Sequence, residues 1–398
     1  MHETISFSSS HLSPEFRLAV ATLVWPRSSG FTRQIQDAAS EPIDWDLFVR
    51  IAHRHRIDGL TFQALNAASI VLPESPRMAL KVAAERQAHK SLIFAGETIR
   101  VTRTLQEAGI PAACLKGATL SMQAFGNLGL RHCRDIDLLI ASDHALKADA
   151  ILTSLGYQLE MPIGPHSLKQ KQHWIRHRKH FEYKNGNGIP LELHWQLFDN
   201  RRLLPAEFAS RSWIDLPVFG ASSLQTLSLP DLLLYLCVHG ASHMWFRLKW
   251  LADMQALLQQ NGADTVKRLQ ADAMTHGCER PVAQMLILLQ ILFDTPYSVR
   301  SADTATSTLV HDALDAMTSG NAAAEIDTIP FGTSRVAMAR YRLKRDWKFW
   351  LSEASSLLTD ERDRNNVRLP HSMRFLLPLL RLPLWIGRRI RSRGKYDR

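Results

Sequence analysis

Cys114-Leu-Lys-Gly-Ala-Thr-Leu120, followed by Arg131-His-Cys-Arg-Asp-Ile-Asp-Leu-Leu-Ile140, sets the architecture expected of this chain. One apolar run stops at Lys116-Gly117. After a short amphipathic segment, a second run carries two aspartates around one isoleucine. An extended strand sends alternate side chains to one face, so Asp135 and Asp137 point the same way while Ile136, Leu138 and Ile140 are free to be buried on the other. Two carboxylates so placed lie roughly 6.5–7 Å apart along a strand, within reach of metal ions about 3.5–4 Å apart. Metal-dependent phosphoryl transfer asks for this order of parts. Mg2+ suits the oxygen ligands, with Mn2+ as the alternative.

Downstream, Ala145 to Leu155 has a helical pattern closed by Gly156, with Tyr157 to Leu159 extended beyond it. Phe181 to Lys184 and Ile189 to Trp195 flank Asn185-Gly-Asn-Gly188, a strong hairpin signal. In the second of those strands Glu192 and His194 share a face, opposite Leu191, Leu193 and Trp195. Upstream, Asp44 to Leu65 and Pro76 to Glu107 repeat apolar residues at helical spacing, and Gly109 marks a stop. Beyond Asp199 the pattern predicts helix again. Leu229-Pro230-Asp231 opens one helix, a related pattern runs to Leu258, and Arg340 to Leu358 forms the last helix before the tail. Polar, small-residue stretches at 301–307 and 318–334 are expected as loops. The chain shows no internal repeat and no low-complexity tract.

At 398 residues the chain is too long for one compact core. The net charge of +10 suggests nucleic acid until it is located: residues 374–398 hold seven Arg and one Lys against one Asp, so the body is nearly neutral. The four cysteines at 114, 133, 237 and 278 have no paired spacing, which predicts no disulfides, no zinc knuckle and a reducing cytoplasm. Residues 1–13 lack an apolar signal-peptide core, and no stretch reaches the roughly 18 apolar residues of a membrane span. Histidines 166, 173, 177, 180 and 194 match no standard zinc spacing. His239 and His243 share a helix face, but His-Gly-Ala-Ser-His lacks the glutamate of a zinc-protease motif.

The string LKGATL, then R-x-x-R-DIDLLI, a helix ending in LGY, then LELHW and LPDLLLYLCVHGASHMWFRLKWLADM, resembles a poorly characterised bacterial nucleotidyltransferase family of the polymerase-beta superfamily. Weaker relatives are the toxin nucleotidyltransferases of abortive-infection systems, which share the K-G and D-x-D elements. The resemblance implies that Asp135 and Asp137 bind the metals and that Glu192 is the third carboxylate, on a neighbouring strand. It also implies that Lys116-Gly117 stands where the wider superfamily has a Gly-Ser turn. A Gly-Ser turn offers backbone N–H groups and a hydroxyl to a triphosphate, whereas Lys116 offers a point charge. The segment with His239 and His243 is expected to close one side of the cleft, with Lys249 or Arg247 near phosphate.

Each of these residues also has a plainer reading. Asp135 and Asp137 would be exposed strand carboxylates, although aspartate is disfavoured in strands. Glu192 would be a solvent-facing hairpin residue, and Lys116 a solvated strand end. Arg131 and Arg134 either hold triphosphate or pair with Asp135; a regular strand would turn Arg134 away, which favours Arg131. His194 orients Glu192 or contacts a phosphate, and His243 is otherwise a packed histidine.

The expected fold is α+β: a small mixed-sheet, polymerase-beta-like nucleotidyltransferase core flanked by helical regions. The divisions are a helical lead-in (1–108), the α/β core (109–200), a helical cleft-covering region (201–300), loops and a helical extension (301–373), and a basic apolar tail (374–398). The expected reaction is transfer of a nucleoside monophosphate from an NTP donor to an acceptor, with pyrophosphate release. Asp135, Asp137 and Glu192 are the catalytic and metal-binding set. Lys116, Gly117, Arg131, Arg134, His194, His243 and Lys249 are the nucleotide-binding set. The acceptor is a small molecule, peptide, sugar precursor, tRNA or protein. Alternatives are a metal-dependent phosphohydrolase and a catalytically idle nucleotide-binding scaffold. The expected location is cytoplasmic, with peripheral contact at the inner membrane surface through the tail as one option.

Overall fold

The computed structural model describes residues 12–358, apart from 165, 206–207, 209–212, 301 and 330–331. The basic tail 374–398 lies outside the described residues. Five helices lead in: α1 (Pro14–Ala21), α2 (Phe31–Ala38), α3 (Trp45–His55), α4 (Asp58–Ala67) and α5 (Glu74–Glu107). The central part runs β1 (Ala113–Cys114), α6 (Gly117–Phe125), β2 (Ile136–Leu139), α7 (Ala145–Ser154), β3 (Tyr157–Met161), α8 (Leu168–His177), β4 (His180–Asn185), β5 (Pro190–His194), β6 (Trp213–Phe219) and β7 (Ser222–Leu227). The remaining helices are α9 (Leu229–Ser242), α10 (Leu248–His276), α11 (Glu279–Phe293), α12 (Thr304–Thr318), α13 (Gly332–Tyr341) and α14 (Trp347–Leu358). The fold is α+β, as expected.

The described strands form one mixed sheet in the order β3-β4-β5-β2-β1-β7-β6. β2 runs parallel to β5 and antiparallel to β1, so the aspartate strand lies at the centre. Both faces of β2 are covered. Ile136 and Leu138 pack with Val101 and Leu105 of α5 and with Leu191 and Leu193 of β5, whereas Leu139 joins a second core with Leu120 of α6 and Leu232 of α9. Asp137 shares the face of Leu139, so its carboxylate enters a layer roofed by helices.

Several boundaries differ from the expectation, each for a local reason. The pattern from Asp44 to Leu65 is two helices, because Arg56 takes a left-handed conformation (φ 58) that ends α3. The Asp44 carboxylate caps α3 by accepting from Leu47 N. The β6–β7 hairpin corrects the expectation that the chain turns helical directly beyond Asp199, and it extends the sheet past residue 200. Pro217 obscured it; the residue sits at a register shift on edge strand β6, where a missing N–H is tolerated. The segment Arg340 to Leu358 is likewise two helices. At the break, Trp350 Nε1 donates to the carbonyls of Tyr341 and Lys344, and Arg280 donates to that of Arg342. α10 continues past Leu258 to His276, and α12 takes in part of the expected loop at 301–307. No helix among the described residues is long and apolar enough to cross a membrane.

Candidate active site

The strand registers assemble the site. Asp137 on β2 is the direct register partner of Glu192 on β5, and His194 on β5 partners both Leu139 and His180 on β4. Adjacent strands lie about 4.8 Å apart, so two carboxylates and two imidazoles are brought together on rigid backbone. His194 Nε2 lies 3.1 Å from Glu192 Oε2 and 3.3 Å from Asp137 Oδ1. Lys116 Nζ lies 3.6 Å from Asp137 Oδ2. Lys116 sits just before α6, and Gly117 opens that helix with φ 57, a left-handed conformation that favours glycine.

Electrostatics follow from burial and close charges. Burial opposes ionisation of Asp137, but the Lys116 ammonium and His194 outweigh it and hold the carboxyl at about 2. Asp135 moves the other way, raised by burial and by the charge of Asp137. Burial disfavours the charged form of Glu192 too, yet His194 and Lys179 pull its pKa well below the ordinary range. His194 is raised: burial opposes protonation, and Asp137 and Glu192 prevail.

A cleft of about 330 Å³ opens over this cluster. Lys116, Gly117, Arg131, Arg134, Asp135, Asp137, Glu192, His243 and Lys249 all line it, so nine residues singled out in the sequence meet in one place. His194 lies beneath, in contact with Asp137 and Glu192. The segment after α9 supplies one wall, in which Trp250 meets His239, His243 and Phe246 at ring separations of 5.8, 5.6 and 5.0 Å. Lys249 is buried, donates to the His132 carbonyl at 3.3 Å, and has its pKa lowered to about 7 by burial and by Arg131 and Arg56.

Arg131 and Arg134 are disposed differently from the expectation. β2 begins at Ile136, so no regular strand turns Arg134 away from the site. Arg134 is exposed at the cleft, while Arg131 is buried and its Nε donates to Asp253 Oδ1 at 2.8 Å. Sequence reasoning passed over Arg56, Lys179 and the metal-binding capacity of His180. Arg56, at the end of α3, is remote in sequence and had no local signal, whereas Lys179 directly precedes β4 beside His180. His180 was set aside on linear spacing; the hairpin turn at 185–188 was the available signal, because it places His180 across from His194.

The site residues fit a divalent cation. His180, Glu192 and His194 each offer a ligand atom within 4.8 Å of the others. The buried His194 turns Nε2 to the two carboxylates, and its Nδ1 has no hydrogen-bond partner among the described residues. On the other side, Asp135 and Asp137 repel one another, which a cation would relieve.

Comparison with curated proteins gives no match. A family described as uncharacterised nucleotidyltransferases matches residues 41–294, a span that includes β1 to β7 and the cleft-lining residues from Arg56 to Trp250. The chain belongs to this nucleotidyltransferase family.

Proposed function

We propose that the cleft transfers a nucleoside monophosphate from an NTP to an acceptor hydroxyl or phosphate and releases pyrophosphate. The observation that carries this reading is the in-register pair Asp137 and Glu192, with Lys116 3.6 Å from Asp137 and Asp135 two residues before it. Asp135, Asp137 and Glu192 would hold the divalent cations, and the bound cations would neutralise charge developing on the transferred phosphoryl group.

The chain's own groups position and select. Lys116 is kept protonated by Asp137 and the neighbouring carboxylates against the cost of burial, so it presents a fixed positive charge to the β and γ phosphates. Arg134 and Lys249 add positive charge from the cleft wall, and Arg131 acts behind them by fixing α10 through Asp253. The ring wall of His243, Phe246 and Trp250 offers faces on which a nucleobase can stack. His243 stays neutral in this role, its pKa lowered to about 3 by burial and by Arg340 and Lys116. In the transfer, the acceptor oxygen bonds to the α phosphorus, the bond to the β phosphate oxygen breaks, and the acceptor's proton passes to the carboxylate cluster.

The test is to incubate the protein with each α-labelled NTP, Mg2+ and a cell extract as acceptor source, and to follow both label and pyrophosphate. Label joined to an acceptor in proportion to pyrophosphate supports the transferase. Release of orthophosphate with no transferred label would replace it with the phosphohydrolase reading.

A further inference from the structure

We propose that His180, Glu192 and His194 hold one borderline divalent cation, of the Mn2+ or Zn2+ class, in preference to Mg2+ at that position. This deepens the reading of the cleft as a metal-dependent transferase site and rests on it. It also revises the sequence-based expectation that no zinc-type ligand set exists.

The donor set is the first argument. Two imidazoles and one carboxylate lie with their ligand atoms within 4.8 Å of one another. Mg2+ prefers oxygen ligands and keeps much of its water, whereas imidazole suits the later first-row ions. Three protein ligands with open positions describe a catalytic rather than a structural site.

Unsatisfied nitrogens are the second. Among the described residues, His180 Nδ1 and His194 Nδ1 are buried without a hydrogen-bond partner, while His194 Nε2 faces Glu192 and Asp137. Buried polar atoms are rarely left so, and two in one cross-strand pair are consistent with an occupant. Outer contacts agree. His180 Nε2 lies 3.1 Å from Glu182 Oε1 and 3.9 Å from Glu192 Oε2, and Asp137 Oδ1 adds an oxygen 3.3 Å from His194 Nε2. All these residues stand on paired strands, so little ordering is needed on binding. The rival arrangement is an ion-pair network in which a protonated His194 bridges Glu192 and Asp137 with no cation.

The full-length protein, stripped with chelator, is loaded with one equivalent of Mn2+ without nucleotide and examined by electron spin echo modulation for 14N coupling. Expected are imidazole nitrogen coupling, its retention in millimolar Mg2+, and a loss of Mn2+ affinity in His180→Asn beyond the roughly 10–100-fold of an outer-shell change. His180 is the less buried ring, at 16% side-chain exposure against 2% for His194, so its replacement leaves the fold assessable. Absent nitrogen coupling in the wild type, or unchanged affinity in His180→Asn, overturns the proposal. Mg2+–NTP binding on the same samples separates the two readings. Nitrogen coupling without NTP binding supports this site and removes the transferase, whereas NTP binding without nitrogen coupling removes this site alone.

Discussion

Asp137 and Glu192 are register partners on adjacent parallel strands, so the two carboxylates project from neighbouring positions of one sheet face. Neither depends on a loop for its place. The pairing is fixed by the apolar alternation of both strands, because a one-residue slip of β2 would turn Asp137 onto the face of Leu191 and Leu193.

Asp137→Asn should therefore abolish transfer while leaving the fold unchanged. The amide keeps the shape of the side chain but removes the charge that faces Lys116 at 3.6 Å. A fall in turnover of more than about 100-fold is expected, beyond what loss of an outer-shell partner brings. Circular dichroism should be superimposable on wild type, and retained activity would sink the assignment.

Lys249 ties substrate binding to pH. Burial, with Arg131 and Arg56 nearby, lowers its pKa from an ordinary 10.5 to about 7, so between these values the unfolded chain binds the extra proton. Stability from this residue accordingly rises with pH across that window, and its full cost is present below about pH 7. Lys249→Met should stabilise the ligand-free protein by about 1–4 kcal/mol at pH 6 and by less at pH 9. An NTP beside Lys249 would restore its charge, so binding at pH 8 should take up protons. Calorimetry in buffers of different ionisation enthalpy measures that uptake, and a buffer-independent enthalpy would contradict the placement.

Arg131 is expected to matter for stability more than for direct phosphate contact. Its Nε donates to Asp253 Oδ1 at 2.8 Å, both side chains are buried, and Asp253 Oδ2 has no hydrogen-bond partner among the described residues. Arg131→Met strands that carboxylate and should cost about 3–5 kcal/mol in urea unfolding, with most of it recovered in Arg131→Met/Asp253→Leu. A neutral single variant would return Arg131 to the nucleotide-binding set.

Gly240 of α9, between the cleft histidines His239 and His243, is held small by a neighbour. A Cβ there would lie 2.5 Å from ring atoms of Trp245, which is 0% exposed and has no room to withdraw. Gly240→Ala should lower stability by about 1–3 kcal/mol through overpacking, measured as a shift in the urea midpoint. An unshifted midpoint would show that the ring is not fixed where the structure has it.

Much of the sheet was legible because β2, β4 and β5 carry period-two patterns and the turn at 185–188 is rich in Asn and Gly. What escaped was non-local or locally masked. Pro217 hid edge strand β6, and Arg56 ended α3 in a left-handed conformation for which no glycine advertised the break. The carboxylates and Lys116 were readable from short-range order. The Arg131–Asp253 pair joins residues 122 apart, and the His180–His194 pairing depends on hairpin register, so neither shows in linear spacing.

Calorimetric binding of ATP, GTP, CTP and UTP with Mg2+, on wild type and on Asp135→Ala/Asp137→Ala, tests the central claim most directly. The account predicts Mg2+-dependent binding of at least one nucleotide to wild type and its loss in the double variant. Binding that survives the double substitution, or no binding of any nucleotide to wild type, would contradict it.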